Sequence, residues 1–326
     1  MTNIFSIPGV LVAGTLALTG PGNVLAQTEL RWAHVYESQS PYHEWAEWAA
    51  KTFEDRTDGR YTIEVYPASS LGKQVDLAEG LELGTVDIIY DGQFFASRRY
   101  GPIAIGSAPF MFQDFAHWEA YRDSDLFLDL AAGYASATGD HIAGLVYYGQ
   151  RHVTSNKRIQ TPADMEGMKI RVPNASLYKM FPEAVGANPT PMAFAEVYLA
   201  LQQGVVDAQE NPLPTIQLKK FYEVQDFITL TGHITDALLT IVAGRLEDRL
   251  PEQDHEILMS VLKEAAEGAS GDIRTAELEL VSWFREQGTA VNEVDRAPFR
   301  AAVADDLNGP QVGWDRETFD RLQALK

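Results

Sequence analysis

Apolar and polar residues alternate in short blocks from Glu29 onward, and the period of each block names an element. Residues 30–33 read as a strand; Ser40-Pro41 then offers an N-cap hydroxyl and a first-turn proline for a helix running to Phe53. On that helix Trp45, Trp48 and Ala49 keep the i, i+3, i+4 spacing of a buried stripe. Residues 61–66 alternate, with Ile63 and Val65 on one side, as a half-buried strand does. A helix over 75–83 stops at Gly84, a short apolar strand follows over 86–90, and 102–112 is a hydrophobic, loop-rich stretch. The second half repeats the alternation. Strands are predicted over 142–148 and 168–172, the latter halted by Pro173, with a turn opening over 161–164. Thr190-Pro191 caps a helix in which Phe194, Val197, Tyr198 and Leu201 fit the helical template up to Gly204. An apolar, β-branched run covers 234–243, and 251–287 reads as one unusually long helix with Gly268 and Gly271 as weak points. Alternating strands and helices predict an α/β protein. Two domains fit the length, and the lack of any Pro/Ser-rich linker predicts that the chain crosses between them more than once.

Residues 1–27 contain no Lys, Arg, Asp or Glu, the run 4–18 is mostly apolar, and Val24-Leu25-Ala26 is a small-x-small pattern. Together these predict a secretory signal peptide at 1–26, cleaved before Gln27, although the basic residue that most signals carry near Met1 is missing. No other segment is apolar for the roughly 20 residues that span a bilayer, so stable membrane insertion is not expected. The remainder of the chain keeps the whole formal net charge of −20, which argues against nucleic acid and anionic membranes as partners. With no cysteine, disulfides, Cys–His zinc sites and thiol catalysis are excluded.

Chemical motifs are few. The chain has no Gly-rich phosphate loop, GxSxG elbow, HExxH or EF-hand loop, and its seven histidines are scattered, so neither a metal nor a cofactor is assigned. His141 and His152 are too far apart for a helical metal pair, and nothing supplies a nucleophile, base and orienting group. A binding protein fits that silence better than an enzyme. The informative residues are arginines: Arg171 leaves the apolar face shared by Met168, Ile170 and Val172 just where Pro173 ends the strand, at the carboxyl end where open α/β sheets bind ligands. Arginine suits a carboxylate because it offers two parallel hydrogen bonds. Arg151, in Gly149-Gln150-Arg151, follows another predicted strand. Taken singly, either is more often a surface salt bridge.

Read whole, the segment says more. Gln150-Arg151-His152-Val153-Thr154-Ser155-Asn156, Arg171-Val172-Pro173-Asn174-Ala175, the run from Pro189-Thr190-Pro191-Met192 to Leu201-Gln202, and Asp207-Ala208-Gln209-Glu210-Asn211-Pro212 occur in that order. Earlier come Tyr66-Pro67 with Ser70-Leu71-Gly72, and Leu83-Gly84-Thr85-Val86-Asp87. This pattern resembles the substrate-binding proteins of tripartite ATP-independent periplasmic (TRAP) transporters, the DctP family, and through 151–234 especially their sialic-acid receptors. The resemblance implies a two-lobed periplasmic-binding-protein fold with crossover strands and a long helix spanning both lobes. It implies lobe I at 27–148 plus 237–276 and lobe II at 149–236 plus 277–326. A monomeric periplasmic receptor would hold an organic anion between the lobes and hand it to a membrane permease with small and large subunits.

By the same resemblance, Arg171 pairs with the ligand carboxylate, Arg151 is a second cation, Asn174 and Asn211 are amide contacts, and Phe194 is a stacking wall. The first lobe departs from the sialic-acid pattern: Val35 stands where that type has an asparagine, and Gly92 where it has a glutamate. Asp91, Gln93, Tyr36 and Glu37 are then the candidates for reading ligand hydroxyls, which suits a smaller polyhydroxy acid such as a uronate or aldonate. Other ligands compatible with paired arginines are a C4-dicarboxylate, a 2-oxo or hydroxy acid, or an organosulfonate. Two other functions compete: an enzyme on an acidic sugar, which would need Asp91, Glu37 or Glu210 as its acid or base, and a ligand sensor for a membrane kinase.

Overall fold

A computed structural model describes residues 28–326; the expected signal at 1–26 lies outside the described residues. The strands are β1 (Thr28–Ala33), β2 (Tyr61–Tyr66), β3 (Ile88–Gly92), β4 (His141–Ser155), β5 (Lys169–Val172), β6 (Asn188–Pro191), β7 (Ala208–Pro212), β8 (Phe227–Val242) and β9 (Ala290–Asn292). They form a nine-stranded sheet in the order β2-β1-β3-β8-β4-β7-β5-β6, with β9 on β8. β4 and β8 run antiparallel along their whole lengths, from His141 opposite Val242 to Ser155 opposite Phe227. One half of this ribbon pairs with β3 and the other with β7, so both long strands belong to both lobes.

These two strands are longer than the apolar patterns predict, because the patterns end where the residues become polar. Gln150, Arg151, His152 and Thr154 continue β4, and Thr229, Thr231 and His233 belong to β8. All but the half-buried Gln150 are buried, and of their side-chain polar atoms that are sealed from solvent Thr229 Oγ1 is the one without a hydrogen-bond partner. Arg151 thus lies inside a strand rather than after one. A second revision concerns Thr190-Pro191, expected to cap a helix: these residues close β6, which pairs with β5, and the helix begins at Val197.

The long helix Glu252–Glu286 is unbroken at both glycines. Gly268 lies under the Trp45 ring, where an added Cβ would come within 2.3 Å of it, and Trp45 Nε1 donates to Asp272 Oδ2 at 2.7 Å. The glycine is therefore a site of close approach, which offsets its poor helix propensity. Trp48, expected on the buried stripe, is 37% exposed; Tyr42, Ala46, Ala49, Ala50 and Phe53 form the buried face of the helix Pro41–Arg56.

The apolar core divides in a way the sequence does not reveal. The first and largest part gathers β1–β3, the near halves of β4 and β8, and the first half of the long helix. Two smaller parts lie in the other lobe, one around Ile170, Phe181 and Phe299, the other around Val197, Ile216 and Phe284. Trp314 and Leu322 belong to the first part. The tail returns to the first lobe through Arg321 to Asp129 at 2.6 Å, Gln323 Nε2 to the Met111 carbonyl at 3.0 Å, and the His117 ring to the Leu322 carbonyl at 3.0 Å. The lobe II range of 277–326 is therefore too long at its carboxyl end, since the tail's apolar residues are covered by helices of the other lobe.

Candidate functional site: a cavity between the lobes

A cavity of about 310 Å³ lies where the two halves of the sheet meet, at the small end of the roughly 300–1,000 Å³ typical of ligand pockets. Its second-lobe wall includes Arg151, Arg171, Asn174, Tyr178, Phe194 and Asn211, and its first-lobe wall includes Val35, Tyr36, Gln74, Gly92 and Phe95. Six of the nine residues singled out in the sequence therefore share it: Arg171, Arg151, Asn174, Phe194, Asn211 and Tyr36.

Arg171 reaches the cavity from the end of β5 and is 2% exposed. Its Nε and Nη2 both donate to the Met192 carbonyl, at 3.1 and 2.7 Å, which fixes the plane of the guanidinium. Nη1 is sealed from solvent without a partner. No carboxylate pairs with this cation among the described residues, although the Phe194 ring centroid lies 6.0 Å from it. Burial pulls its pKa down to about 10, with the positive charge of Arg151 adding to the effect against the opposing field of Glu210. A buried cation with an unspent donor is expensive until an anion arrives.

Arg151 has the opposite character. Its Nε donates to Glu210 Oε2, its Nη2 to Glu210 Oε1 at 2.7 Å and the Glu210 carbonyl at 2.8 Å, and its Nη1 to Asp236 Oδ2 at 3.0 Å. Four of its five N–H groups are thereby spent and its charge is more than matched by two carboxylates. Burial would raise the Glu210 carboxyl, but the Arg151 guanidinium outweighs that and holds it below the usual range. Tyr178 donates to Asp236 Oδ2 at 3.1 Å and closes the network. As the expected second cation, Arg151 keeps one N–H for a ligand; its larger role is to anchor β4 to β7 and β8.

Asn211 gives one amide hydrogen to Gln209 Oε1 at 2.6 Å and accepts from the Tyr148 hydroxyl at 3.3 Å, which leaves its second hydrogen available. The Asn174 carbonyl accepts from Arg98 of the other lobe. Tyr36 packs against Tyr42, Tyr148 and Phe194, with ring centroids 4.7, 5.6 and 6.2 Å away, respectively, so aromatic rings cross the cleft.

Three first-lobe candidates do not reach the cavity. Asp91 is buried behind Gln74, whose Nε2 donates to Asp91 Oδ1 at 2.7 Å and to the Tyr90 carbonyl at 2.9 Å; burial pushes the Asp91 carboxyl up to about 7. Gln93 turns inward to Ser107 and Tyr121, at 3.2 and 3.3 Å. Glu37 pairs across the cleft with Lys219 at 2.6 Å. A second bridge, Lys73 to Glu196 at 2.7 Å, and the Arg98–Asn174 contact help hold the lobes together over the cavity.

Sequence reasoning missed Gln74, Tyr148, Tyr178, Met192 and Asp236 as lining residues. A signal existed for Asp236: it is a lone acid inside a run that otherwise reads as a buried strand. No group of His, Asp and Glu able to hold a metal occurs among the described residues, and no helix there is long and apolar enough to cross a membrane.

Comparison with known proteins agrees with this architecture. The sialic acid-binding periplasmic protein SiaP of Vibrio cholerae is 33% identical over 289 residues, covering 88% of this chain and 90% of that protein. A TRAP periplasmic solute-binding protein from Polaromonas sp. JS666, bound to D-erythronate, superposes with a TM-score of 0.87 at 30% identity, covering 92% of this chain and 99% of that one. Another from Sulfurospirillum deleyianum, with bound succinate, gives 0.86 at 26% identity over 92% of this chain and 100% of that one. The sequence profile of bacterial extracellular solute-binding protein family 7, DctP, matches residues 32–309. With its two lobes, crossover strands and interlobe cavity, the chain belongs to that family, the solute-binding proteins of TRAP transporters.

Proposed function

We propose that this protein is the extracytoplasmic receptor of a TRAP transporter, acting in the periplasm as a monomer after removal of a signal peptide. It captures a carboxylate-bearing solute in the interlobe cavity and delivers it to the membrane permease. The observation that carries this reading is the buried Arg171 guanidinium, oriented by the Met192 carbonyl and left with a sealed, unpartnered Nη1. Asn211 and the last N–H of Arg151 supply further donors around the same position. Phe194 offers a ring face for the ligand backbone. A sugar acid, an aldonate or uronate, is the favoured ligand class, supported by the acids named for SiaP and for the Polaromonas protein. Succinate in the Sulfurospirillum structure favours a second reading, a small organic acid such as a C4-dicarboxylate.

The acids that an enzyme would need are otherwise engaged: Glu210 with Arg151, Glu37 with Lys219, and Asp91 with Gln74. This supports a binder over a catalyst. Ligand binds the closed form better and shifts the open–closed equilibrium, with β4 and β8 as the bending elements. The test is thermal melting of residues 27–326 against uronates, aldonates, dicarboxylates, 2-oxo acids, sulfonates and sialic acid. A ligand at 100 times its Kd adds about 2.7 kcal/mol, a shift of a few degrees. No shift with any acid would refute the receptor reading.

A further inference from the structure

The cavity is unequal at its two ends, and the difference concerns the charge of the ligand. At the second-lobe end sits Arg171 with an unspent donor. At the first-lobe end Gln74 is the amide that lines the cavity, and both hydrogens of its Nε2 point into the lobe, toward Asp91 Oδ1 and the Tyr90 carbonyl. The backbone carbonyl can only accept, so the amide cannot turn over, whatever the protonation of Asp91. The polar atom that this cavity-lining side chain has left to offer is Oε1, an acceptor that has no hydrogen-bond partner among the described residues.

The other charged groups of the lining are already engaged. Lys73 is bound to Glu196 at 2.7 Å, Asp76 accepts from the Lys73 amide at 2.9 Å and so caps the helix Gln74–Leu83, and Arg151 is neutralised by Glu210 and Asp236. One cation of the lining, Arg171, lacks a carboxylate partner among the described residues. A second carboxylate on the ligand would face an acceptor oxygen, with Asp91 behind it and Asp76 on the same helical turn.

We infer that the cavity is built for a singly charged hydroxy acid, whose carboxylate meets Arg171 and whose hydroxyl donates to Oε1 of Gln74, and that it discriminates against diacids. This rests on the reading that Arg171 takes the carboxylate, and it decides between the sugar-acid and dicarboxylate classes. Asp91 and the Tyr90 carbonyl are positioning groups: they convert a residue that could donate or accept into one that only accepts.

The test uses the unmodified protein and three pairs of acids of equal chain length that differ at the far carbon, CH2OH against COO−: D-gluconate and D-glucarate, L-galactonate and galactarate, D-erythronate and meso-tartrate. Calorimetric Kd values are expected to favour the monoacid of the best-bound pair by tenfold or more. A diacid bound as tightly as its monoacid would overturn the inference and leave the carboxylate receptor standing. Binding of none of the six would overturn the inference, and it would overturn the receptor reading as well only if every acid of the wider melting panel also failed. Gln74→Leu adds a second readout: it should weaken the hydroxy acid about tenfold, the scale of one hydrogen bond whose partner is left unpaired, and reduce the preference over the diacid. An unchanged preference in a folded Gln74→Leu protein would remove Gln74 from the role.

Discussion

Replacing Arg171 with lysine is the sharpest perturbation of the site. Burial lowers this guanidinium from its ordinary 12.5 to about 10, a gap that corresponds to about 3 kcal/mol of unrelieved charge in the unliganded protein. An arriving carboxylate relieves that charge and takes the sealed Nη1 hydrogens. A charge-assisted hydrogen bond of roughly 1.5–3 kcal/mol points to the same scale. Lysine keeps a charge but has no fork, so it cannot hold the Met192 carbonyl and the ligand in one plane. Losing about 3 kcal/mol weakens binding on the order of 100-fold at 1.4 kcal/mol per tenfold. The assay is calorimetric titration of Arg171→Lys with the acid that gives the largest melting shift in the unmodified protein, alongside melting of both unliganded proteins. The unliganded variant should melt close to the unmodified protein, because the cost of the buried charge offsets the lost hydrogen bonds to the Met192 carbonyl, while the ligand-induced shift should collapse. A Kd within about threefold of the unmodified protein would refute the assignment of Arg171 to the carboxylate.

Three other outcomes follow from the packing. The buried Asp91 carboxyl, pushed up to about 7, binds a proton in the folded state that the unfolded chain has released, so its contribution to stability declines as pH rises from about 4 through 7; Asp91→Asn should flatten that part of a urea-denaturation pH profile relative to the unmodified protein. Gly268→Ala places a Cβ within 2.3 Å of the Trp45 ring, so despite alanine's better helix propensity it should lower stability by about 1–3 kcal/mol, read as a lower urea midpoint. Glu37→Gln removes a cross-cleft bridge of 2.6 Å, worth up to about 1 kcal/mol, and should raise Kd by up to roughly fivefold while reducing its dependence on salt.

How far the sequence reaches depends on where each partner lies along the chain. The strand-end position of Arg171 was legible because it is set locally, by an apolar alternation from Met168 and a proline that stops the strand, whereas the Met192 carbonyl that orients its guanidinium lies 21 residues away. Arg151 was legible as a member of the site but not in its role, since Glu210 and Asp236 stand 59 and 85 residues away and only the β4–β7 and β4–β8 pairings bring them in. Gln93 and Asp91 look like ligand readers because they flank the place where the sialic-acid pattern has a glutamate, yet whether a side chain turns to the cavity or the core depends on Ser107, Tyr121 and Gln74, which no local pattern specifies. The strands illustrate the same limit. Hydrophobic period marks the apolar halves of β4 and β8 and loses the polar halves, which are buried because other strands cover them.

The position of β8 in the sheet also orders the life of the chain before it binds anything. In the first lobe β8 lies between β3 and β4, which do not pair with each other, so that lobe has no continuous sheet until the segment ending at Val242 has been made. An amino-terminal half emerging from the ribosome therefore lacks the strand that would lock it, and its slow, long-range pairings must wait for most of the polypeptide. For any chain exported in an unfolded state, such a topology delays folding until the far side of the membrane.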